Sequence, residues 1–166
     1  MPRHRPNTQS RIDRFRAGVS LAEIAREDGV QAISIYHFLA KHGILTDTYL
    51  SDEFVSALRA AGCPEPEREY GFAHICPVSL VQRFLTPKTR KPRQWRADFA
   101  FPFHQLTVEV DGGKFVGKGG AHNSDREKRN AIAVCGWRTL FFDTSMILED
   151  AAGCAATVLL ALTSRD

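Results

Sequence analysis

The chain has 166 residues, a formal net charge of +3 and a hydrophobic fraction of 43%, a composition that excludes a largely disordered protein. Its length fits one ordinary domain with a small appendage. We expect no membrane span and no signal peptide, because no uninterrupted apolar run is long enough and the N-terminus is strongly charged. The four cysteines form no Cys-x-x-Cys pair, so we expect reduced thiols in a cytoplasmic protein.

The first 47 residues are predicted to form a basic arm followed by a helical module. The arm carries Arg3 and Arg5, and the first predicted helix adds Arg11, Arg14 and Arg16. Clustered arginines neutralise phosphates and release counterions, which favours binding to nucleic acids.

Two further helices are predicted after the first one. Ser20 is the expected N-cap of the second helix, because Glu23 follows three residues later in the pattern of a capping box. Gly29 is expected to end this helix. The third helix is predicted from about Gln31 to His42.

A helix, a glycine-containing turn and a second helix at this spacing form the helix-turn-helix pattern. The stretch from Leu21 to Val30 resembles the repressor and resolvase type of this module. The resemblance implies that the third helix enters a groove of DNA. The positions expected to face the groove are Gln31, Ser34, His37 and Lys41. The alternative is a three-helix module that binds protein or nothing.

Residues 48–166 are predicted to form an α/β (α+β) domain, with a mixed sheet covered by helices. A helix is expected to start at Ser51 and to end at Gly62, followed by a strand from Arg68 to Phe72. Residues 74–93 form an insertion, with a short helix at residues 78–84. Basic side chains with no acid among them lie at its end: Arg83, Lys88, Arg90, Lys91, Arg93 and Arg96. Such a run is either a contact to the DNA backbone or a solvated loop.

Two strands and a short turn are predicted next, at residues 96–101 and 106–113. A helix at residues 124–134, a buried strand at residues 139–142 and an apolar final helix ending near residue 162 complete the domain.

Three acidic residues occupy the two central strands, where buried apolar residues are expected. Side chains alternate along a strand, so Glu109 and Asp111 point to the same face, and Asp98 lies on the neighbouring strand. A buried carboxylate is costly unless it is paired or binds a cation. The three carboxylates therefore predict a site for Mg²⁺ or Mn²⁺, completed by the Val110 carbonyl and water. The alternative is that Asp98 closes a turn, Asp111 starts the Asp-Gly-Gly loop and Glu109 lies on a solvated face.

An ordered set of motifs between Glu53 and Met146 resembles the PD-(D/E)XK endonuclease superfamily, near the very-short-patch repair endonucleases and the EDxHD homing enzymes. The set comprises Trp95-Arg-Ala-Asp98-Phe, Val108-Glu109-Val-Asp111-Gly-Gly113, His122, Asp125-x-x-Lys128-x-Asn130-Ala and Gly136-Trp137-Arg.

This resemblance implies that Asp98 and Glu109 bind the metal and that Asp111 stands where the superfamily more often has lysine. Two replacements for that lysine stay open. One is Lys128 on the following helix. The other is the pair His122 and Asp125, which resembles the histidine and aspartate of the EDxHD set. The glutamate of that set is either Glu53 or Glu69.

The implied function is a Mg²⁺-dependent DNA endonuclease of a bacterium or phage, acting in the cytoplasm on double-stranded DNA, as a monomer or a homodimer. Two alternatives stay open. One is a DNA-binding regulator whose nuclease-like domain is inactive. The other is a repair nuclease that recognises junctions or mismatches.

Overall fold

The computed structural model describes residues 8–46, 48–77, 80, 94–111 and 121–164, and for residues 121–124 it describes the backbone alone. Seven predicted DNA-binding residues lie outside these ranges: Arg3, Arg5, Arg83, Lys88, Arg90, Lys91 and Arg93. The predicted short helix at residues 78–84 also lies outside them, apart from Leu80.

Three helices form the N-terminal module: α1 (Thr8–Arg16), α2 (Leu21–Asp28) and α3 (Ala32–Lys41). The predicted cap is present, since the Ser20 hydroxyl accepts a hydrogen bond from the Glu23 backbone N–H at 3.2 Å. Gly29 closes α2 with a φ of +67°, a conformation that glycine adopts without a steric penalty. Helix, turn and helix thus follow the predicted spacing.

Asp28 joins the first helix of this module to the second. Its carboxylate accepts from Arg11 Nε and from Arg14 Nη2, both at 2.6 Å, and its side chain is only 4% exposed. Arg14 also pairs with Glu27 at 2.6 Å. Arg11 and Arg14 belong to the basic cluster that favours nucleic-acid binding, and the structure pairs both with acids inside the module.

The second region begins with α4 (Tyr49–Ala60) and contains β1 (Glu67–Gly71), α5 (Phe72–Ile75), β2 (Arg96–Phe101), β3 (Leu106–Asp111), α6 (Ala121–Val134), β4 (Arg138–Asp143) and α7 (Thr144–Thr163). The sheet order is β1-β2-β3-β4. The first two pairs are antiparallel and the β3–β4 pair is parallel. The predicted mixed sheet covered by helices is therefore confirmed.

The two faces of the sheet pack against different helices. Phe99 and Val108 face one core together with α4 and α7. Ala100 faces a second core, which contains Ala131 and Ile132 of α6. Because side chains alternate along a strand, Glu109 faces the side covered by α6. The parallel β3–β4 pair requires a crossover, and α6 is its helix.

Three predicted boundaries need correction. Helix α4 begins at Tyr49 rather than Ser51, because Tyr49 and Leu50 pack against the apolar residues of the N-terminal module. Strand β1 ends at Gly71, and Phe72 starts a short helix instead. Helix α6 begins at Ala121, which places His122 in the helix rather than in a loop.

The final helix α7 contains a break at Asp150, where φ is −151° and ψ is 71°. The Asp150 carboxylate accepts from the Gly153 backbone N–H at 2.8 Å and caps the second half of the helix. A Cβ atom at position 153 would collide with this carboxylate, so the cap requires glycine.

Helix α7 corrects the expectation that no segment reaches membrane-spanning length. It has 20 residues and a mean hydropathy of 1.6, which makes it a candidate span by length and composition. Cys154, Ala155 and Val158 are nevertheless buried in the core beneath the sheet. Leu148 is buried among the N-terminal helices. The apolar side of α7 is therefore used within the protein.

Replacing Asp28 with alanine should destabilise the protein, because Arg11 and Arg14 lose a buried partner. We expect the free energy of unfolding to fall by about 1–3 kcal/mol, measured by urea denaturation. Glu27→Ala is the matched control, because the Glu27 side chain is 54% exposed and its loss should cost under ~1 kcal/mol. Equal losses in the two variants would contradict the role given to Asp28.

Candidate active site

Asp98 and Glu109 lie opposite each other near the middle of two neighbouring strands. The β2–β3 pairing includes Phe99 opposite Val108, and Asp98 and Glu109 each lie one residue beyond that pair. The Val110 backbone N–H donates to Asp98 Oδ2 at 2.6 Å. Asp98 thus satisfies a backbone donor of the adjacent strand, and its position across from Glu109 is as predicted from the strand pattern.

Lys128 of α6 reaches the site. Its Nζ lies 2.7 Å from Glu109 Oε2, and the two side chains are only 17% and 12% exposed. Ala131 and Ile132, three and four residues further along α6, are buried against the sheet. Helical periodicity therefore directs Lys128 to the same face. The sequence alone did not decide whether Lys128 reaches the site or points to solvent. The structure places it beside Glu109.

The second oxygen of Glu109 is unusual. Glu109 Oε1 is buried and has no hydrogen-bond partner among the described residues. An unsatisfied buried acceptor costs about 1–3 kcal/mol. The free lone pairs of this oxygen are therefore suited to a cation or a hydrogen-bond donor that enters the site.

Burial raises the pKa of Glu109 to about 7, against the opposing effect of the Lys128 ammonium. The negative charges of Asp98 and Asp111 raise it further. Burial also raises the pKa of Asp98, while the hydrogen bond from Val110 and the charge of Lys128 oppose that shift. A carboxyl group that titrates near neutrality can both accept and release a proton, which is the property required of a general acid or base.

Asp111 differs from the other two acids. It faces the same side as Glu109, but its side chain is 65% exposed and lies 3.3 Å from Arg129 Nη2. The guanidinium carbon of Arg129 lies 4.0 Å from the centre of the Phe141 ring. Sequence reasoning missed Arg129 and Phe141. The available signal was the position of Arg129 next to Lys128 on the helix, but the partner strand β4 could not be aligned from sequence.

Of the two candidate glutamates, Glu69 is the one that lies near Asp98. It falls between the paired residues Arg68–Phe99 and Tyr70–Ala97, opposite Asp98, and its charge raises the Asp98 pKa. Glu69 also has a φ of +50°, which is rare and strained for a residue with a Cβ.

Glu53 is placed elsewhere. Its neighbours Phe54 and Val55 bury the inner face of α4 in the core on the opposite side of the sheet. Glu53 itself is exposed, and its charge acts on the hydroxyl of Tyr49, whose pKa burial raises to about 12. The structure therefore separates Glu53 from the acidic strands.

The alternative pair of the EDxHD type is only partly described. Asp125 is an exposed side chain on α6, one turn before Lys128. His122 lies in the first turn of that helix, and its side chain is outside the described set. Lys128 is thus the predicted lysine substitute for which a contact with the carboxylates is observed.

The carboxylates fit a divalent cation only in part. Among the residues described, no group of three or more His, Cys, Asp or Glu side chains is close enough to hold a metal ion. Asp98 and Glu109 offer one half-buried and one buried carboxylate, including the unpartnered Glu109 Oε1. Mg²⁺ is often bound by one or two carboxylates and keeps several waters, so this pair suits Mg²⁺ or Mn²⁺. The predicted contributions of Asp111 and the Val110 carbonyl remain predictions.

The predicted DNA-reading residues on α3 share one exposed surface. Four side chains of the described structure belong to it, and all are exposed: Gln31, Ser34, His37 and Lys41. Arg96, at the start of β2, is exposed too. The buried side of α3 carries Ile35 and Leu39, so packing leaves the polar side available to a partner.

Glu69→Gly should stabilise the protein by about 1 kcal/mol, because glycine adopts a positive φ without the Cβ penalty. Glu67→Gly is the control on the same strand, where φ is not positive. That substitution should instead destabilise by roughly 0.5–1 kcal/mol through lost chain entropy. Chemical denaturation of both variants measures the difference, and shifts of the same sign would refute the strain at Glu69.

The raised pKa of Glu109 also predicts how stability depends on pH. The folded protein keeps a proton that the unfolded chain releases at the ordinary pKa of 4.5. Stability from this group is thus present below pH 4.5 and is lost as the pH rises through about 7.

Glu109→Gln should therefore flatten the dependence of unfolding free energy on pH between pH 5 and pH 8, removing a change of about 1–3 kcal/mol. Denaturant titrations at a series of pH values measure this slope. Asp111→Asn is the matched control and should leave most of the slope in place. A wild-type slope retained in Glu109→Gln would rule out Glu109 as the titrating group.

Comparisons with known proteins found no relative of this chain. No family model matches the chain, and neither the curated proteins nor the solved structures contain a significant match. The functional interpretation therefore depends on the geometry of Asp98, Glu109 and Lys128 and on the sequence motifs that contain them.

Proposed function

We propose that this protein is a metal-dependent endonuclease that hydrolyses phosphodiester bonds in double-stranded DNA, similar to small PD-(D/E)XK enzymes. The observation that carries the proposal is the pair of the half-buried Asp98 and the buried Glu109, with Lys128 Nζ 2.7 Å from Glu109. Two acids on adjacent strands and a lysine from the helix above them are the groups that this chemistry uses. Their burial has no evident value for stability, because apolar residues there would cost less.

The surface on α3 supports DNA as the substrate. Gln31, Ser34, His37 and Lys41 offer hydrogen-bond donors, acceptors and one positive charge on the exposed side of the third helix. A recognition helix reads base edges through such side chains, whereas cations such as Arg96 contact the backbone. We therefore expect these residues to contact DNA and hydrolysis to take place beside Asp98 and Glu109.

In the mechanism, Asp98 and Glu109 would hold Mg²⁺ or Mn²⁺, which when bound lowers the pKa of water and stabilises negative charge on the phosphate. Lys128 binds one oxygen of Glu109, and the other is buried without a hydrogen-bond partner among the described residues. The Lys128 ammonium also supplies a positive charge to the site. In the superfamily this charge more often comes from a lysine at the position that Asp111 occupies here. Glu69 adds a carboxylate on the far side of Asp98 and is the better candidate than Glu53 for the additional acid.

One observation favours a second candidate function, a DNA-binding regulator without cleavage activity. The Lys128–Glu109 ion pair satisfies one metal-facing oxygen internally, and Asp111 occupies the usual lysine position. A repair nuclease specific for junctions or mismatches is a third candidate, and it differs from the first in substrate rather than in site. A cytoplasmic location and a homodimer remain part of the proposal.

Cleavage assays test the enzyme directly. Purified protein should nick or linearise supercoiled plasmid in Mg²⁺ or Mn²⁺ and be inactive in EDTA. Asp98→Ala and Glu109→Ala should each lower the rate roughly 100-fold or more, because each removes charge that acts at the reacting phosphate.

Glu53→Ala is the matched control, because it removes an exposed carboxylate outside the site and should leave the rate nearly unchanged. Branched and mismatched duplexes belong in the same assay. Faster cleavage of these substrates would favour the repair nuclease. Binding of DNA without cleavage in any metal would contradict the endonuclease and support the DNA-binding regulator.

A further inference from the structure

We infer that Arg129, whose guanidinium carbon lies over the ring of Phe141, is a phosphate-binding residue of the same site. This inference rests on the proposed function, because it names a contact between that site and the DNA backbone. Arg129 belongs to none of the motifs that suggested a nuclease. The contacts around its guanidinium are what distinguish it from the other exposed arginines.

Phe141 places this arginine beside the acidic pair. In the parallel β3–β4 register, Phe141 lies opposite Glu109, and its side chain is exposed. Asp98, Glu109 and Phe141 therefore follow one another across three adjacent strands on one face of the sheet. On α6, Lys128 lies over Glu109 and the next residue, Arg129, lies over Phe141. A phosphate bound at the carboxylate pair would have Arg129 as its neighbour.

The geometry of the guanidinium suits this role. Its carbon lies over the Phe141 ring, 4.0 Å from the ring centre. Arginine can contact an aromatic ring in this way and still donate hydrogen bonds, because its five N–H donors lie in the plane of the guanidinium. Stacking also restricts the side chain before any ligand binds, which reduces the entropy lost on binding. Lysine offers neither the planar face nor the fork of donors.

The present partner of Arg129 is one that a phosphate can displace. Asp111 Oδ2 lies 3.3 Å from Arg129 Nη2, and the side chains are 65% and 47% exposed. Exposed ion pairs contribute little because water and salt compete for both charges. A phosphate accepts two parallel hydrogen bonds from one guanidinium, which is a stronger arrangement. The Lys128–Glu109 pair, at 2.7 Å, is much less exposed to competing water and salt.

A purely structural role is the competing explanation, in which Arg129 only ties α6 to β4. The two roles differ in their effects on DNA affinity. A structural arginine affects DNA binding through stability, whereas a phosphate contact changes affinity and its dependence on salt. Arg126 offers a matched control, since it is an exposed arginine one turn earlier on the same helix.

Fluorescence anisotropy with a short labelled DNA duplex in EDTA, repeated at several salt concentrations, tests the contact on the full-length protein. Arg129→Ala should weaken binding about 5- to 10-fold and reduce the salt slope by roughly 1. Arg126→Ala should change the affinity less than about 2-fold. Arg129→Lys should recover part of the loss, and Phe141→Leu should weaken binding while the charge is retained. Thermal denaturation of each variant identifies any that fail to fold.

The outcomes separate this inference from the proposed function. Equal affinities and salt slopes for Arg129→Ala and Arg126→Ala would overturn the phosphate contact, even if the wild-type protein cleaves DNA. Weaker binding by Arg129→Ala, with no cleavage by any variant in Mg²⁺, would support the contact and reject the enzyme. Full affinity in Arg129→Lys and Phe141→Leu would show that only the positive charge of Arg129 matters. It would contradict a contribution of the Phe141 contact to phosphate binding. A wild-type protein that binds no duplex would overturn both proposals.

Discussion

The burial of Glu109 is the constraint on which the rest of the site depends. A carboxylate inside a sheet loses its hydration, and burial is the largest cause of its raised pKa. The neighbouring structure compensates only partly, with one ammonium at 2.7 Å and one oxygen left without a partner. Natural cores rarely retain such an arrangement without a function, because an apolar side chain would be less costly.

The two faces of the sheet bury different kinds of side chain. On one face, α4 and α7 cover Phe99, Val108 and other large apolar side chains. On the other, the crossover helix α6 packs near the small Ala97 and Ala100 and brings Lys128 to Glu109. The β3–β4 connection brings α6 to that face, and its helical repeat then sets which side chain meets Glu109.

Local patterns allowed much of this architecture to be predicted, and tertiary pairing accounts for what was missed. Strands β2 and β3 and the cap at Ser20 follow from side-chain alternation and capping chemistry, which depend on neighbouring residues. The pairing of Asp28 with Arg11 and Arg14 depends on how two helices cross. The stacking of Arg129 depends on the register of a strand twelve residues further along the chain. Neither is a property of a short sequence segment.

Helix α7 contributes side chains to the cores of both regions of the chain. Before the break, Leu148 is buried among the N-terminal helices, and after it Cys154 and Val158 are buried beneath the sheet. Leu50 of α4 contacts both cores as well. Because α7 and Leu50 add to the core of the helical module as well as to the core beneath the sheet, the two regions should unfold in a single transition. A strain imposed on α3 would reach the sheet through α7, because both cores share that helix.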